Sequence, residues 1–357
     1  MAPRLRVVRI ANFVAPTSGG IRSVIRRLSA AAVDSGVESH VVAPGPDPGI
    51  AAMPGMYVHA LPGVRLHPRQ PYRLILQRSA VRRVLDEVRP DIIEIHDQLS
   101  LAWLGAEAQR RGVPSILIAH ERLDELARFW SRFEPAGSAA QRWIARIAGN
   151  VTQVVAPSEF AARPYRVAGV PVTVVPWGVD HQTFRPGPPQ ADPQRLRIVH
   201  CGRLSAEKDP LLSARATDDL RRRGIAASVT VIGSGPVASQ FAEFDPEVVS
   251  MTGFVGGPDV LAERLRTADV FFAPGPFETF GVSALEAMAC GLPVVCRESG
   301  SISEIPATTP AAGTPEAFAD AALALWSDGD ARRRASESAA DYTWPKAAAA
   351  MERVYAA

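Results

Sequence analysis

The sequence predicts an α/β protein built from two doubly wound, Rossmann-like domains. Three observations carry this. Short apolar runs alternate with amphipathic stretches, the mark of βαβ units and a parallel sheet. The alternation breaks once, at a proline-rich stretch, and then restarts. The chain has 357 residues, and at roughly 150 residues per domain that length favours two domains.

The first half opens on LRVVRIA (5–11), a β-branched strand. A helix over 20–35 follows, with Ile21, Val24, Ile25, Leu28 and Ala32 on one face. Further strands are expected at ESHVVA (38–43), YVHAL (57–61), DIIEI (91–95), SILIAH (115–120), VTQVVA (151–156) and PVTVVP (171–176). Helices over 72–88, 100–111, 138–149 and 158–167 fall between most of them. HQTFRPGPPQADPQR (181–195) holds four prolines and no periodicity, a linker signature. The pattern resumes with LRIVHC (196–201), a helix over 209–223, ASVTVIG (227–233), a helix after Pro236 and VVSMTG (248–253). A helix over 257–266, DVFFAP (269–274), a helix over 280–290 and LPVVC (292–296) complete it. The tail from 314 to 357 is Ala-rich and helical, with Pro345 at a helix start. The expected organisation is a first domain over 1–180, a linker over 181–195, a second domain over 196–340 and a terminal helix over 341–357. Ligands of such sheets bind beyond the carboxyl ends of the strands. With two domains facing each other, the cleft between them is the expected site.

Composition narrows the function. Hydrophobic residues make up 47% and charged residues 21%, which argues for a globular chain rather than a disordered one. The net charge is +2, from 39 Lys+Arg against 37 Asp+Glu. A nucleic-acid partner bound by phosphate neutralisation is therefore not expected. Cys201, Cys290 and Cys296 form no CxxC pair and read as reduced thiols of a cytosolic protein. The N-terminal apolar stretch is too short and too interrupted by arginine for a signal peptide. No run approaches a membrane-spanning length. Of the cationic residues only Lys208 and Lys346 are lysines, which makes Lys208 conspicuous.

The most informative segment is PGPFETFGVSALEAMACGLPVV (274–295). A strand ends at Pro274, a Gly/Pro loop carries Glu278, and a helix opens near Phe280-Gly281-Val282. Free amides at a helix start suit an anion such as a diphosphate, and Gly281 lets backbone approach it closely. Glu278 and Glu286, eight residues apart, can face one polar ligand, as acceptors for sugar hydroxyls. The plainer reading makes Glu278 a loop cap and Glu286 a buried helix residue. In CGRLSAEKDP (201–210), Arg203 and Lys208 occupy a strand-end loop, where two cations suit a departing diphosphate; surface cations are the alternative. NFVAPTSGGIRSV (12–24) sets Gly19-Gly20 before a helix, as a phosphate or sugar approach loop or simply a turn. His120-Glu121 and His96-Asp97 end neighbouring strands, where a His can meet a hydroxyl or a phosphate or serve structure alone. VIGSGPVA (231–238) resembles a dinucleotide fingerprint but lacks its third glycine and sits on the wrong strand. Asp328-Gly-Asp330, in the metal-binding DxD form, follows a helix and reads as a turn and N-cap. No cluster shows metal-ligand spacing, so no metal or other cofactor is expected.

Together these segments resemble the family-4 retaining glycosyltransferases of the GT-B fold, in which two Rossmann-like domains face each other across a cleft. The resemblance covers nearly the whole chain. Its strongest part is ETFGVSALE (278–286), an E-x7-E motif, followed by AMACGLPVV; HCGRLSAEKDP, VPWGVDHQTFRP, VIGSGP and GFV…LRTADVFFAP match in order. ETFGVSALEAMACGLPVV, HCGRLSAEK and AHERLDEL are similar to the phosphatidylinositol mannosyltransferases and related GDP-mannose-dependent enzymes. The resemblance implies that Arg203 and Lys208 hold the donor diphosphate, Glu286 the ribose and Glu278 the sugar hydroxyls. It implies that the amides of Phe280, Gly281 and Val282 cradle phosphate and sugar, with Gly19 and Gly20 against the diphosphate. It matches His120 to an active-site histidine near the transferred sugar and sends the final helix back to the first domain. Gly300-Ser301 stands where relatives often have Gly-Gly.

The expected activity is retaining transfer of a hexose, with mannose from GDP-mannose favoured, to an acceptor hydroxyl and without metal. Glu278 is then a sugar-positioning group or a weak nucleophile, and the resemblance favours the first. A UDP-sugar with a soluble small-molecule acceptor is the nearest alternative. A non-catalytic two-domain sugar-binding protein needs no Arg203/Lys208 pair and is usually secreted; a nucleotide-sugar epimerase would need no acceptor. The expected partners are a nucleotide-sugar donor and a glycolipid or small glycoside, with no nucleic acid. RLHPRQPYRLILQRSAVRR (65–83) carries Arg65, Arg69, Arg73, Arg78, Arg82 and Arg83 among Leu74, Ile75, Leu76 and Val81. It reads either as a solvated face of a packed helix or as a basic amphipathic contact with anionic lipid. The second reading puts a cytoplasmic protein at the inner face of the plasma membrane.

Overall fold

The computed structural model describes residues 5–16, 19–65, 72–187 and 194–357. The chain divides into two compact units, Met1–Trp177 with Trp344–Ala357, and Gly178–Thr343. In the first unit the strands are β1 (Arg6–Ile10), β2 (Glu38–Pro44), β3 (Met56–Leu61), β4 (Val64–Arg65), β5 (Arg73–Leu74), β6 (Ile92–Ile95), β7 (Ser115–Ile118), β8 (Gln153–Ala156) and β9 (Val172–Val174). Its helices are α1 (Gly20–Asp34), α2 (Arg78–Val88), α3 (Trp103–Arg111), α4 (Leu123–Ser131), α5 (Glu134–Ala148) and α6 (Glu159–Val167). Among the described residues a parallel sheet runs in the order β3-β2-β1-β6-β7-β8-β9. Its strands are near-continuous apolar runs because both faces are covered. Val8, Ile10, Ile93, Ile95 and Leu117 pack with α2, α3 and α5 on one face, and Val41, Ala43 and Ile25 on the other.

The second unit holds β10 (Leu196–Cys201), α7 (Leu211–Arg222), β11 (Ala227–Ile232), β12 (Val249–Gly253), α8 (Pro258–Arg266), β13 (Val270–Ala273), α9 (Val282–Ala289), β14 (Val294–Arg297), β15 (Thr308–Ala311), α10 (Pro315–Ser327) and α11 (Ala331–Ala339). Its parallel sheet is ordered β12-β11-β10-β13-β14-β15. The terminal helix α12 (Trp344–Ala356) belongs to the first unit and packs on α1. Residues 178–187 pack as part of the second unit rather than as a free connector: Phe184 is buried and Arg266 of α8 donates to the Thr183 and Arg185 carbonyls. Residues 188–193 of the proline-rich stretch lie outside the described residues.

Several elements differ from the sequence pattern. The helix expected over 72–88 begins at Arg78. Arg73-Leu74 instead pairs antiparallel with Val64-Arg65, and the Ile75 amide donates to Asn12 Oδ1 at 2.9 Å. Tertiary hydrogen bonds thus override the apolar run over 73–75. Arg69 lies outside the described residues. The turn after Pro236 is a 3-10 helix over Ala238–Glu243. Helix α4 and strand β15 are elements the sequence reading did not assign. β15 tolerates Pro310 because it is an edge strand.

Candidate active site

Each sheet reverses its winding at one point, β1/β6 in the first unit and β10/β13 in the second. The loops that leave the strands there flank a crevice suited to ligands. In the second unit these are the 202–210 and 274–281 loops, which carry Arg203, Lys208 and Glu278. Lys208 Nζ donates to Glu278 Oε2 at 2.6 Å, with each side chain 30% exposed. Arg203 is exposed on the same loop.

Gly281 caps α9 at φ 82, and a Cβ there would overlap the Ile302 side chain. This position requires glycine both by its left-handed backbone and by space. Phe280, just before it, is buried and its ring lies 6.1 Å from that of Tyr342. The first turn of α9, from Val282, has no acidic residue and no side-chain cap. Its amides have no carbonyl one turn back to bond, so they are suited to an anion. Glu286 sits half-buried further along α9, and its charge helps raise the Cys201 thiol at the end of β10. The structure therefore gathers Lys208, Glu278, Phe280, Gly281 and Val282 closely, with Arg203 and Glu286 on the same two segments.

Four residues that shape these loops were not singled out as site residues. The Ser301 amide and hydroxyl both donate to the Glu278 carbonyl, at 3.2 and 2.7 Å. Ser301 thus fixes the Glu278 turn with two donors, of which Gly at this position would supply only the amide. Arg297 of β14 donates to the Pro274 carbonyl at 2.9 Å and pairs with Asp209, tying the two loops together. A Cβ on Gly233 would overlap the Gly202 carbonyl, and one on Gly235 the Leu204 carbonyl. VIGSGP is therefore a buttress for the Arg203 loop; Leu204 N bonds Ser234 O at 3.0 Å across the same contact. The near-fingerprint spacing was the available signal.

In the first unit Gly19 precedes α1, whose first turn also has no acid and no side-chain cap. A Cβ on Gly19 or Gly20 would meet nothing within 4 Å, so internal packing does not demand these glycines. Asp97 is occupied structurally, accepting from Asn12 Nδ2 at 2.9 Å and the Leu99 amide at 2.7 Å. His120, half-buried after β7, places Nε2 2.7 Å from His96 Nδ1, and its ring lies 6.4 Å from that of Trp177. Desolvation at the sheet end and the neighbouring His96 hold His120 well below the usual imidazole range, so its neutral form prevails. His96 Nε2 lies 3.1 Å from Glu94 Oε2.

Burial pushes the Cys201, Cys290 and Cys296 thiols up, to about 12, 12 and 11, which leaves them poor nucleophiles. Asp328 is committed to the Asp330 amide and Arg334, and Asp330 to Arg333. Among the described residues no group of three or more His, Cys, Asp or Glu side chains is placed to hold a metal ion. No helix among them is long and apolar enough to cross a membrane.

Comparison with known proteins gives the family and the fold. Residues 18–183 match the family described as Glycosyltransferase Family 4, and residues 195–328 that described as Glycosyl transferases group 1. The chain is 36% identical to the GDP-mannose-dependent alpha-(1-6)-phosphatidylinositol dimannoside mannosyltransferase of Mycobacterium tuberculosis, over 97% of this chain and 95% of that protein. It is 27% identical to a GDP-mannose-dependent alpha-mannosyltransferase of Corynebacterium glutamicum, over 83% and 73% of the two. Sucrose-phosphate synthase from Thermosynechococcus elongatus superposes with a TM-score of 0.81 at 18% identity, over 99% of this chain and 98% of that one. Anabaena HepE, in complex with UDP and glucose, does so at 0.74 and 15%, over 99% and 100%. At such identities the likeness speaks for the fold, and that fold is GT-B. The chain belongs to the family-4 glycosyltransferases, and it is an enzyme of glycosyl transfer.

Proposed function

We propose that the protein transfers mannose from GDP-mannose to a hydroxyl of a glycolipid acceptor of the phosphatidylinositol mannoside kind, with retention of configuration and without a metal. The observation that carries this is the Lys208–Glu278 pair beside the uncapped start of α9, at the reversal point of the second sheet. The identity to the Mycobacterium tuberculosis enzyme supports the choice of donor and acceptor.

In this reading the donor exchanges one ion pair for two better-matched contacts. Lys208 turns to the diphosphate and Glu278 to the sugar hydroxyls. A half-buried pair at the surface contributes only about 1 kcal/mol, so the exchange costs little. Arg203 and the amides of Phe280, Gly281 and Val282 take the remaining phosphate charge. Glu286 accepts from the ribose, and Gly19 and Gly20 approach the diphosphate. Charge grows on the leaving diphosphate as the sugar–oxygen bond breaks, and the acceptor hydroxyl enters on the same face. Glu278 acts as a positioning group, and His120 meets a hydroxyl near the transferred sugar.

The same reading sets the protein in the cytoplasm, at the inner face of the plasma membrane. Within 65–83, Arg73 donates to the Gly63 carbonyl, while Arg78 and Arg82 lie over the Trp103 ring. Exposed Trp130 and Phe133 beside Arg132, at the end of α4, offer a second amphipathic surface for lipid.

The test combines donor choice, metal removal and two variants. GDP-mannose turnover should persist in EDTA; complete loss in EDTA restored by Mg²⁺ or Mn²⁺ would refute the metal-free reading. Glu286→Ala should weaken GDP binding, while Glu278→Ala mainly lowers kcat. Negligible effects of both on turnover would remove the site assignment, and preference for UDP-sugars would replace the donor.

A further inference from the structure

Strand β10 ends at the reversal point of the second sheet and carries His200 one residue before that end. The side chain is buried. The β10–β13 pairing runs through Ile198–Val270 and Val199–Phe271. Beyond it the His200 ring spans the two strands, with Nδ1 3.1 Å from the Phe272 carbonyl oxygen. A carbonyl only accepts, so Nδ1 carries a proton. Burial pulls the ring down to about 4, against the Phe272 bond and the Glu278 charge, which both raise it. Near neutral pH the ring is therefore uncharged, its one proton sits on Nδ1, and Nε2 is an acceptor. That nitrogen is buried and meets no hydrogen-bond partner among the described residues. Folded proteins seldom leave a buried acceptor so, and this one stands at a strand end where ligands of such sheets bind.

Gly202 leaves the approach to this nitrogen open. Its backbone is not left-handed. Among the described residues beyond its chain neighbours, a Cβ there would meet only His200 Nε2 at 3.8 Å and Cε1 at 4.0 Å, an ordinary contact. Neither backbone nor packing requires this glycine; what its missing side chain does is leave Nε2 uncovered. That sets it apart from Gly233 and Gly281, where a Cβ would collide with protein. Successive side chains of a strand point to opposite faces. The Glu286 charge reaches Cys201, while the Glu278 charge reaches His200. His200 thus belongs with Glu278, the carboxylate assigned to the sugar hydroxyls, and not with Glu286.

We propose that His200 is a further substrate-binding residue, whose Nε2, reached past Gly202, accepts a hydrogen bond from a hydroxyl of the hexose that Glu278 also holds. It rests on the reading of the 202–210 and 274–281 loops as the donor site. A neutral imidazole adds a second acceptor for the sugar without adding negative charge beside the diphosphate.

His200→Asn isolates the contact, because the amide nitrogen can take the place of Nδ1 and keep the Phe272 bond while Nε2 is lost. Calorimetric titration of wild type, His200→Asn and Gly202→Ala with GDP-mannose and with GDP reads the effect. In His200→Asn the Kd for GDP-mannose should rise roughly 3- to 10-fold, the worth of one neutral hydrogen bond, and the Kd for GDP should not change. Gly202→Ala should act the same way by covering Nε2, with an unchanged melting temperature; it carries the test if His200→Asn fails to fold. In histidine-labelled wild type the nitrogen-15 resonance of His200 Nε2 should move on adding GDP-mannose and stay in place with GDP, which a purely structural histidine would not do. A resonance that GDP-mannose leaves unmoved overturns the proposal while the donor reading stands. Equal weakening of GDP and GDP-mannose takes the contact off the hexose and overturns it too. A wild type that does not bind GDP-mannose overturns the donor reading itself, and this proposal with it.

Discussion

Replacing Lys208 by methionine keeps the apolar stem and deletes the charge. In the folded protein that charge meets Glu278 at 2.6 Å, with both side chains 30% exposed. A pair this open to solvent contributes about 0–1 kcal/mol to stability, and about 1 kcal/mol corresponds to about 2–4 °C in a domain of this size. The melting temperature of Lys208→Met should therefore fall by no more than about 4 °C. Turnover should respond far more. A donor aimed at charge that develops in the transition state contributes about 3–4 kcal/mol, or about 100- to 1,000-fold in rate. The assay is kcat/KM for GDP-mannose beside thermal unfolding, for Lys208→Met, Glu278→Gln and the double variant. Because the two side chains touch, their effects should not add. If kcat/KM stayed within about 3-fold of wild type, Lys208 would be no more than a surface partner of Glu278.

The glycines separate packing from ligand approach. Gly281→Ala should lower the melting temperature and abolish GDP binding, because a left-handed non-glycine residue costs about 1–2 kcal/mol before the overlap with Ile302 is added. Gly19→Ala meets nothing within 4 Å, so its stability should be unchanged while its KM for donor rises; unchanged KM would remove Gly19 from the site. Acid stability should report Glu94. Its pKa falls from the ordinary 4.5 to about 2 on folding, so its contribution is present above 4.5 and is lost as pH falls toward 2. Glu94→Gln, which leaves Arg9 buried without its counter-charge, should be less stable at neutral pH by about 3–5 kcal/mol. Denaturant titrations of that variant should show a flatter acid limb; a limb as steep as wild type would contradict the depressed carboxyl.

The candidate site of the second unit could be read from the sequence because its residues lie on two contiguous segments. Arg203 and Lys208 share one strand-end loop, and Glu278, Gly281 and Glu286 share another. Alternation put both loops after strands, and doubly wound topology brings such loops together at the reversal point. Ser301, Arg297, Gly233 and Gly235 were harder to assign because their roles are contacts with distant backbone carbonyls. Ser301 was visible only as a departure from Gly-Gly, and its hydroxyl bond to the Glu278 carbonyl explains it. The buried Arg9–Glu94 pair left a signal of another kind: in RVVRI and DIIEI, Arg9 and Glu94 each interrupt a run of apolar residues near the strand's end. Two opposite charges in strands buried on both faces point to each other, but Tyr355, whose hydroxyl bonds both, enters from the far end of the chain. The segment at 72–77 misled because RLIL has a helix-like apolar density, while Asn12 and the β4–β5 pairing hold it extended.

The most direct test of the central claim is proton NMR of the product formed from GDP-mannose and a phosphatidylinositol mannoside acceptor, with GDP release followed in parallel. The account predicts stoichiometric GDP release and a new mannosyl residue whose anomeric proton shows the α configuration of the donor. A β-linked product, or GDP release that never depends on acceptor, would contradict it.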